Sequence, residues 1–116
     1  MPQTMERIVL KEMAATTTTI DTELYPVSID KYSSITIVIN CTTVAGTNPT
    51  LDIFFQGCGI PGDPGLGMQT VPQQTAAFTL TYTLIPLQPK MWMRMTIGGT
   101  ATPTFTYKII MWGKVL

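Results

Sequence analysis

Alternation of apolar and polar residues with a period of two is the feature that most limits the folds open to this sequence. In one stretch Ile35, Ile37, Ile39 and Cys41 alternate with more polar neighbours. Successive side chains of a β-strand point to opposite faces, so this alternation predicts strands with one buried face. The same pattern marks five segments: residues 35–42, 51–55, 78–84, 91–97 and 105–112.

A similar turn motif occurs twice between these segments, as GTNPT at residues 46–50 and GTATPT at residues 99–104. Glycine supplies a positive φ and proline ends a hydrogen-bonded ladder. Folding the chain about Thr47 and about Ala101 predicts two hairpins in which apolar side chains meet on one face, which fixes a register. The predicted pairs include Ile39–Phe55, Cys41–Ile53, Met95–Tyr107 and Met93–Ile109.

Six or seven short strands predict an all-β fold, a single antiparallel two-sheet sandwich of the jelly-roll or a related Greek-key type. This domain is assigned to residues 20–116, with a weaker strand near residues 20–24. Residues 57–74 are rich in Gly and Pro and are interpreted as a surface loop or a crossover between sheets. Residues 1–19 lack a clear strand period and are interpreted as an N-terminal arm that orders against another surface.

The composition is poor in charge: 12% of the 116 residues are charged and 45% are hydrophobic, with seven acidic and seven basic side chains. A surface of this kind favours burial against other protein. The alternative is that Thr, Asn and Gln keep the surface hydrated. A zero net charge argues against nucleic acid and anionic membranes as partners.

The sequence lacks the residues on which common catalytic and metal sites depend. The sequence has no histidine, which excludes Ser-His-Asp, Cys-His and His-based metal sites. Asp21 and Glu23 share a predicted strand face, but calcium needs six or more oxygen ligands. The Gly-rich stretch at residues 57–67 lacks the Lys-Ser/Thr of a phosphate-binding loop. We therefore expect no catalytic residue, no metal and no cofactor.

The two cysteines, Cys41 and Cys58, are expected to be free thiols. In the predicted hairpin they lie five residues apart along the strand, or ~17 Å, beyond the ~7 Å limit between bridged Cα atoms. Free thiols are typical of a reducing cytoplasm.

Large side chains indicate where the protein makes contacts. Trp and Arg are favoured at protein interfaces, and the predicted hairpin places Trp92, Arg94 and Trp112 on one face. That face could contact protein, stack on sugars together with Tyr107, or cover the edge of the core. The candidate interface residues, including those of the arm, are Met5, Ile8, Val9, Leu10, Trp92, Arg94 and Trp112.

Two stretches resemble small virion proteins of tailed bacteriophages: "ITIVINCTTVAGTNPTLDIFFQ" and "RMTIGGTATPTFTYKIIMWG". In that family a GTxPTLD hairpin and a GGTxPSF hairpin recur in β-sandwich modules. Members of this size resemble capsid decoration, or cement, proteins, which form trimers on the shell and reach neighbours through an N-terminal arm. The segment between the hairpins lacks the Asp-Gly and Trp-containing turn of many such modules, which leaves the contact loop open.

The resemblance implies a structural virion protein that acts as a homotrimer, binds the major capsid protein and stabilises joints between capsomers. It would be made in the host cytoplasm and located on the capsid surface. The alternatives are a carbohydrate- or receptor-binding module of a tail or head fibre, and another head or tail subunit.

Overall fold

The computed structural model describes residues 4–17, 20–21, 27–58 and 66–116. All regular secondary structure in these ranges is β-strand, which confirms the all-β prediction. The described residues contain no helix that could cross a membrane. The strands are β1 Met5–Thr16, β2 Ile20–Asp21, β3 Val27–Ser28, β4 Tyr32–Cys58, β5 Leu66–Gln74, β6 Phe78–Leu84 and β7 Lys90–Val115.

The two long strands β4 and β7 form the frame of the fold. They pair antiparallel along their whole length, from Tyr32 opposite Val115 to Cys58 opposite Lys90. The pairing is irregular only near Tyr32 and Cys41 and again between Ala45 and Thr50. We call residues 45–50 and 98–104 the corner, because β4 and β7 pass there together from one sheet to the other.

Two four-stranded sheets result from this shared pair of strands. In the first sheet the order is β1, residues 104–115 of β7, residues 32–45 of β4, and β6. In the second it is β5, residues 50–58 of β4, residues 90–98 of β7, and then β2 with β3. Eight strand positions in this order make two interleaved Greek keys, the arrangement of a jelly roll. The predicted two-sheet sandwich is confirmed.

The corner explains why the turn motif occurs twice, since the two copies pack against each other. Gly46 has φ +102° and an added Cβ would lie 2.7 Å from the Cα of Pro103. Gly99 has φ +125° and an added Cβ would lie 3.0 Å from the Cα of Pro49. Each copy therefore supplies the glycine against which the other copy's proline backbone packs.

The predicted hairpin pairing is wrong. Ile39 pairs with Ile109 on one side and Leu80 on the other, and not with Phe55. Met95 pairs with Ile53, but the Tyr107 hydroxyl donates a hydrogen bond to the Met95 sulfur at 3.2 Å across the core. The alternating pattern still identified the inward faces correctly. When the β4–β7 pair folds over at the corner, residues that a flat hairpin would pair side by side, such as Met95 and Tyr107, face each other across the core.

The core lies between the sheets and is built from alternate residues of β4 and β7. Its aliphatic, aromatic and methionine side chains are buried, and no polar or charged side chain among the described residues is buried with them. Residues with less than 2% exposure include Ile35, Ile37, Ile39, Leu51, Ile53, Phe55, Met95, Phe105, Tyr107 and Ile109.

Two segments differ from their predictions. Residues 5–16, assigned to the arm, form β1 at the edge of the first sheet, where Ile8 pairs with Met111. Residues 66–74, assigned to a loop or crossover, form β5 at the edge of the second sheet. Pro72 is compatible with β5 because an edge strand has one side free of ladder hydrogen bonds. The weaker strand predicted near residues 20–24 corresponds in part to β2. Glu23 and the side chain of Asp21 lie outside the described residues.

Both cysteines are free and buried. They lie in different sheets, Cys41 opposite Tyr107 and Cys58 opposite Lys90. Burial raises the pKa of the Cys41 thiol, which disfavours the reactive thiolate.

Candidate interaction surfaces

The end of the sandwich opposite the corner is where the surface exposes most of its large apolar side chains. We call it the open end. β1 begins here and β7 ends here, and the connections at residues 29–31 and 85–89 lie between them. The exposed side chains are Met5 at 49%, Ile85 at 70%, Leu87 at 84% and Leu116 at 80%. The open end thus carries four of the six large apolar side chains that are exposed among the described residues.

The connection at residues 85–89 projects from the open end because prolines and hydrogen bonds fix its base. The backbone N–H of Ile29 donates to the carbonyl of Pro89 at 2.8 Å. Pro86 and Pro89 restrict φ and remove two backbone donors. The connection therefore holds Ile85 and Leu87 out in solvent instead of folding them into the core.

A pocket of about 130 Å³ lies beneath this connection. We call it the Gln88 pocket. The Oε1 atom of Gln88 is buried and has no hydrogen-bond partner. This oxygen lies over Gly57, where an added Cβ would approach it to 2.8 Å. The lining is otherwise apolar: Gly57, Gly67, Met68, Leu84, Ile85 and Leu87.

A shallower cavity of about 240 Å³ lies on the other side of the connection, bounded by Asp30, Tyr32 and the backbone turn through Pro86 and Pro89. Leu87 and Gln88 border both cavities. The connection thus borders two depressions of the surface.

A polar cluster fixes the start of β1 at the open end. Tyr32 donates a hydrogen bond to Glu6 at 3.1 Å, and Lys31 forms an ion pair with the same carboxylate oxygen at 3.0 Å. The Lys31 ammonium lowers the pKa of Glu6, and Glu6 in turn raises the pKa of Lys31. The Tyr32 ring crosses Gly113 to reach Glu6, since an added Cβ at Gly113 would lie 2.5 Å from the ring. This cluster joins β1 to β4 across β7.

The predicted interface residues of β1 do not share one surface. Ile8 and Leu10 are half-buried and pack against the core. Val9 pairs with Ile110 and is half-buried. Met5 is exposed at the open end. Of this group Met5 is the exposed residue, whereas Ile8, Val9 and Leu10 are half-buried.

Trp92 and Trp112 were predicted to lie on one face but lie on opposite sheets. Trp112 belongs to the first sheet, beside Arg7 and Thr36, and is 38% exposed. Trp92 belongs to the second sheet, as does Arg94, which is exposed. The prediction failed because it relied on hairpin pairing that β7 does not make.

The outer face of the second sheet still carries a mixed aromatic and polar group. Trp92 pairs with Gln56 and donates its indole N–H to that amide oxygen. Phe54 pairs with Arg94 and lies over Gly67. Tyr107, the third aromatic predicted to take part in sugar binding, is fully buried, and burial raises the pKa of its hydroxyl. It cannot contact a ligand on this face.

Metal binding finds no support in the described part of the chain, which contains no group of three or more Cys, Asp and Glu side chains placed to hold an ion. Lys11, whose pKa is lowered by burial, lies 4.0 Å from the centroid of the Tyr107 ring and donates to the Tyr107 carbonyl. These contacts anchor the bulged part of β1 and hold the half-buried amine in place.

Sequence analysis missed Ile85, Leu87 and Gln88. The available signal was the segment LIPLQP, in which apolar residues alternate with prolines after a strand has ended. Pro86 and Pro89 keep this segment out of the strand, and the side chains of Ile85 and Leu87 are both exposed.

Comparison with known proteins gives the fold but no family. No protein-family model matches the chain, and no curated protein matches it. VP2 of infectious bursal disease virus, in its subviral particle, has a TM-score of 0.56 at 13% identity. That likeness covers 97% of this chain and 32% of VP2, so the chain spans about a third of that protein.

Two further solved structures are similar to this chain. A Bacillus endospore appendage protein, from a family of disulfide-linked pili, has a TM-score of 0.50 at 16% identity, with 98% of this chain and 88% of that chain covered. A carbohydrate-binding module of Cellvibrio mixtus lichenase 5A, solved with cellotriose, has a TM-score of 0.46 at 14% identity, covering 99% and 91%.

Proposed function

We propose that this protein is a structural subunit of a virion: a capsid decoration protein that binds the outer surface of a phage head as a homotrimer and stabilises the joints between capsomers. One observation carries the proposal. Met5, Ile85, Leu87 and Leu116 are between 49% and 84% exposed, and all four lie at the open end. A charge-poor chain with such an end is completed by contact with other protein.

The fold supports an assembly role without assigning one. VP2 and the spore appendage protein, with TM-scores of 0.56 and 0.50, were solved as components of a particle and of a pilus. The turn motifs resemble those of small phage virion proteins, and the corner explains their spacing. Together these observations favour a subunit that acts through its surface, and the lack of histidine favours a role without catalysis.

The physical mechanism is burial of apolar area across the joints of a shell. Each buried Å² contributes about 25 cal/mol before the cost of ordering the partners is subtracted. Repeated at many sites, a modest net gain per trimer makes simultaneous opening of neighbouring joints improbable. The rigid jelly roll transmits this constraint because its core is closely packed.

Co-sedimentation with expanded capsids of the source phage tests the proposal. We expect the purified protein to pellet with heads that lack it and to raise the temperature at which they rupture. Protein that stays in the supernatant and leaves that temperature unchanged would contradict a decoration role. A stoichiometry far below the number of capsid subunits would instead indicate a head-completion or tail component.

Carbohydrate binding is the second candidate, favoured by one observation: Trp92, Gln56, Phe54 and Arg94 adjoin one another on the outer face of the second sheet. Aromatic rings stack on sugars, while amide and guanidinium groups donate hydrogen bonds. This function predicts glycan binding that is lost in Trp92→Ala and kept in Trp112→Ala. The second variant is a matched control, since Trp112 lies on the opposite sheet.

A further inference from the structure

The first sheet ends at β6, and the outer edge of that strand is open. β6 pairs with β4 along seven consecutive residues without a bulge, from Phe78 opposite Cys41 to Leu84 opposite Ile35. Within the described part of the chain, no strand pairs with its other side. The N–H and C=O groups that point outward from such an edge are a template for one more strand.

The other edges of the two sheets carry features that discourage strand addition. β5 contains Pro72, and its register with β4 shifts twice. β2 and β3 have two residues each. The register of β1 shifts twice, and its charged side chains are Glu6, Arg7, Lys11 and Glu12. β6, with the sequence FTLTYTL, contains no charge, proline, glycine or bulge. Of the described edge strands, β6 is therefore the one that is open to pairing.

The core is also incompletely covered at this edge. The core-facing side chains of β6 pack against the core but are only half-buried: Phe78, Leu80, Tyr82 and Leu84. The side chains on its other face are exposed: Thr79, Thr81 and Thr83. An added strand with the same alternation would extend the ladder and bury the remaining apolar area of the first group.

The sequence of β6 indicates which strand fits, because β6 is complementary to itself. Antiparallel pairing of two copies about Thr81 gives the opposed pairs Phe78–Leu84, Thr79–Thr83, Leu80–Tyr82 and Thr81 with its equivalent. Threonine then meets threonine on the outer face, an aromatic residue meets leucine on the core face, and no charge is buried. Odd positions pair with odd and even with even, so the outward backbone groups of one copy meet those of the other.

From this complementarity we infer that β6 is a contact between two copies of this chain, which pair antiparallel about a two-fold axis at Thr81. The contact joins two first sheets into one continuous sheet. It goes beyond the proposed function, since a two-fold contact cannot close a ring of three and instead links neighbouring trimers. Seven residue pairs make a small interface, so the link is weak in dilute solution and is strengthened where a shell holds trimers close together.

Sedimentation velocity of the full chain over a range of concentrations tests the contact with two double variants. Thr79→Lys with Thr83→Lys, the Lys/Lys variant, sets like charges opposite each other twice across the axis. Thr79→Lys with Thr83→Glu, the Lys/Glu variant, sets opposite charges there. We expect the dissociation constant of the β6 contact to rise roughly tenfold or more in the Lys/Lys variant and to stay near or below the wild-type value in the Lys/Glu variant.

The two variants control for folding, because both remove the same two hydroxyl groups, which bond to Asn40 and Thr36. A further matched control is Thr70→Lys, at an exposed threonine of the edge strand β5. It is expected to associate like the wild type. Thr81→Lys and Thr81→Glu should each associate weakly, and their equimolar mixture should recover the association, since Thr81 meets its equivalent at the axis.

The outcomes separate this contact from the homotrimer. Trimers that double in mass as the concentration rises, except in the Lys/Lys variant, support both. A monomer that forms dimers, again except in the Lys/Lys variant, supports the contact and overturns the homotrimer. Association that is equal in the two double variants overturns the contact and leaves the homotrimer standing. If both double variants associate like the wild type but fail to bind heads, the edge pairs with a strand of the capsid protein, which also overturns the contact. A wild-type trimer whose mass never increases overturns the contact alone, and a wild-type chain that stays monomeric overturns both.

Discussion

Gly99→Ala tests the packing of the corner most sharply. Gly99 has φ +125°, a conformation that a residue with a Cβ adopts at a cost of about 1–3 kcal/mol. The new Cβ would also lie 2.8 Å from the Asn48 carbonyl oxygen and 3.0 Å from the Cα of Pro49. Backbone atoms cannot rotate away, so overpacking adds about 1–3 kcal/mol. The expected loss is about 2–6 kcal/mol, from a total stability of about 5–15 kcal/mol for a domain.

Gly98→Ala is the matched control at the neighbouring residue. Its Cβ would meet only the Thr50 hydroxyl oxygen, at 2.7 Å, and a hydroxyl can rotate aside. We expect a change within about 1 kcal/mol, since alanine also restricts the unfolded chain. Gly46→Ala should resemble Gly99→Ala, because its Cβ would approach the Pro103 backbone to 2.7 Å.

The assay is equilibrium urea unfolding followed by tryptophan fluorescence, at one fixed protein concentration because association shifts the midpoint. An unchanged slope with a lower midpoint reports lost stability. Equal midpoints for Gly98→Ala and Gly99→Ala would refute the reciprocal packing of the two turn motifs.

Three further predictions concern the cysteines and the cluster at β1. Cys41 and Cys58 should react with a thiol reagent only after unfolding, since both are buried; rapid reaction of the native protein would contradict this. Gly113→Ala should destabilise the protein by displacing the Tyr32 ring, 2.5 Å from the new Cβ, and should cost little in a Tyr32→Ala background; additive losses would contradict the contact. The pKa of Glu6 is lowered by Lys31, so its stabilisation is present above pH ~4.3 and is lost as the pH falls through the lower, folded-state pKa. Glu6→Gln should therefore match the wild type in strong acid and be less stable at neutral pH, measured as urea midpoints; a difference that persists in strong acid would contradict it.

The sequence predicted which residues face the core but not which strands pair. Period-two alternation assigns Ile39 and Met95 to an inner face, and any antiparallel partner with the same alternation satisfies that pattern. The choice between a flat hairpin and a strand pair folded over itself depends on contacts between distant residues, such as Gly46 with Pro103. Alternation within one strand carries no information about such contacts.

Two edge strands escaped prediction for local reasons. β1 has irregular pairing between Val9 and Lys11 and again between Lys11 and Ala14. Each such bulge shifts the alternation by one residue and hides the period. β5 contains Pro72, which is unfavourable in a central strand but acceptable at an edge.

The candidate site was only partly predictable. Trp92, Arg94 and Trp112 lie outside the buried core, but placing them on one face depended on the wrong pairing. The Gln88 pocket combines Gly57 from the end of β4 with Leu87 from a distant connection. No local sequence pattern links residues so far apart in the chain. The LIPLQP segment, in contrast, has a local signal, because its prolines exclude it from a central strand.

The mass of the purified wild-type protein in solution tests the central claim most directly, by native mass spectrometry or light scattering. One chain has a mass of 12.7 kDa, and we predict a stable species of three chains. A wild-type protein that keeps the mass of one chain at high concentration would contradict it.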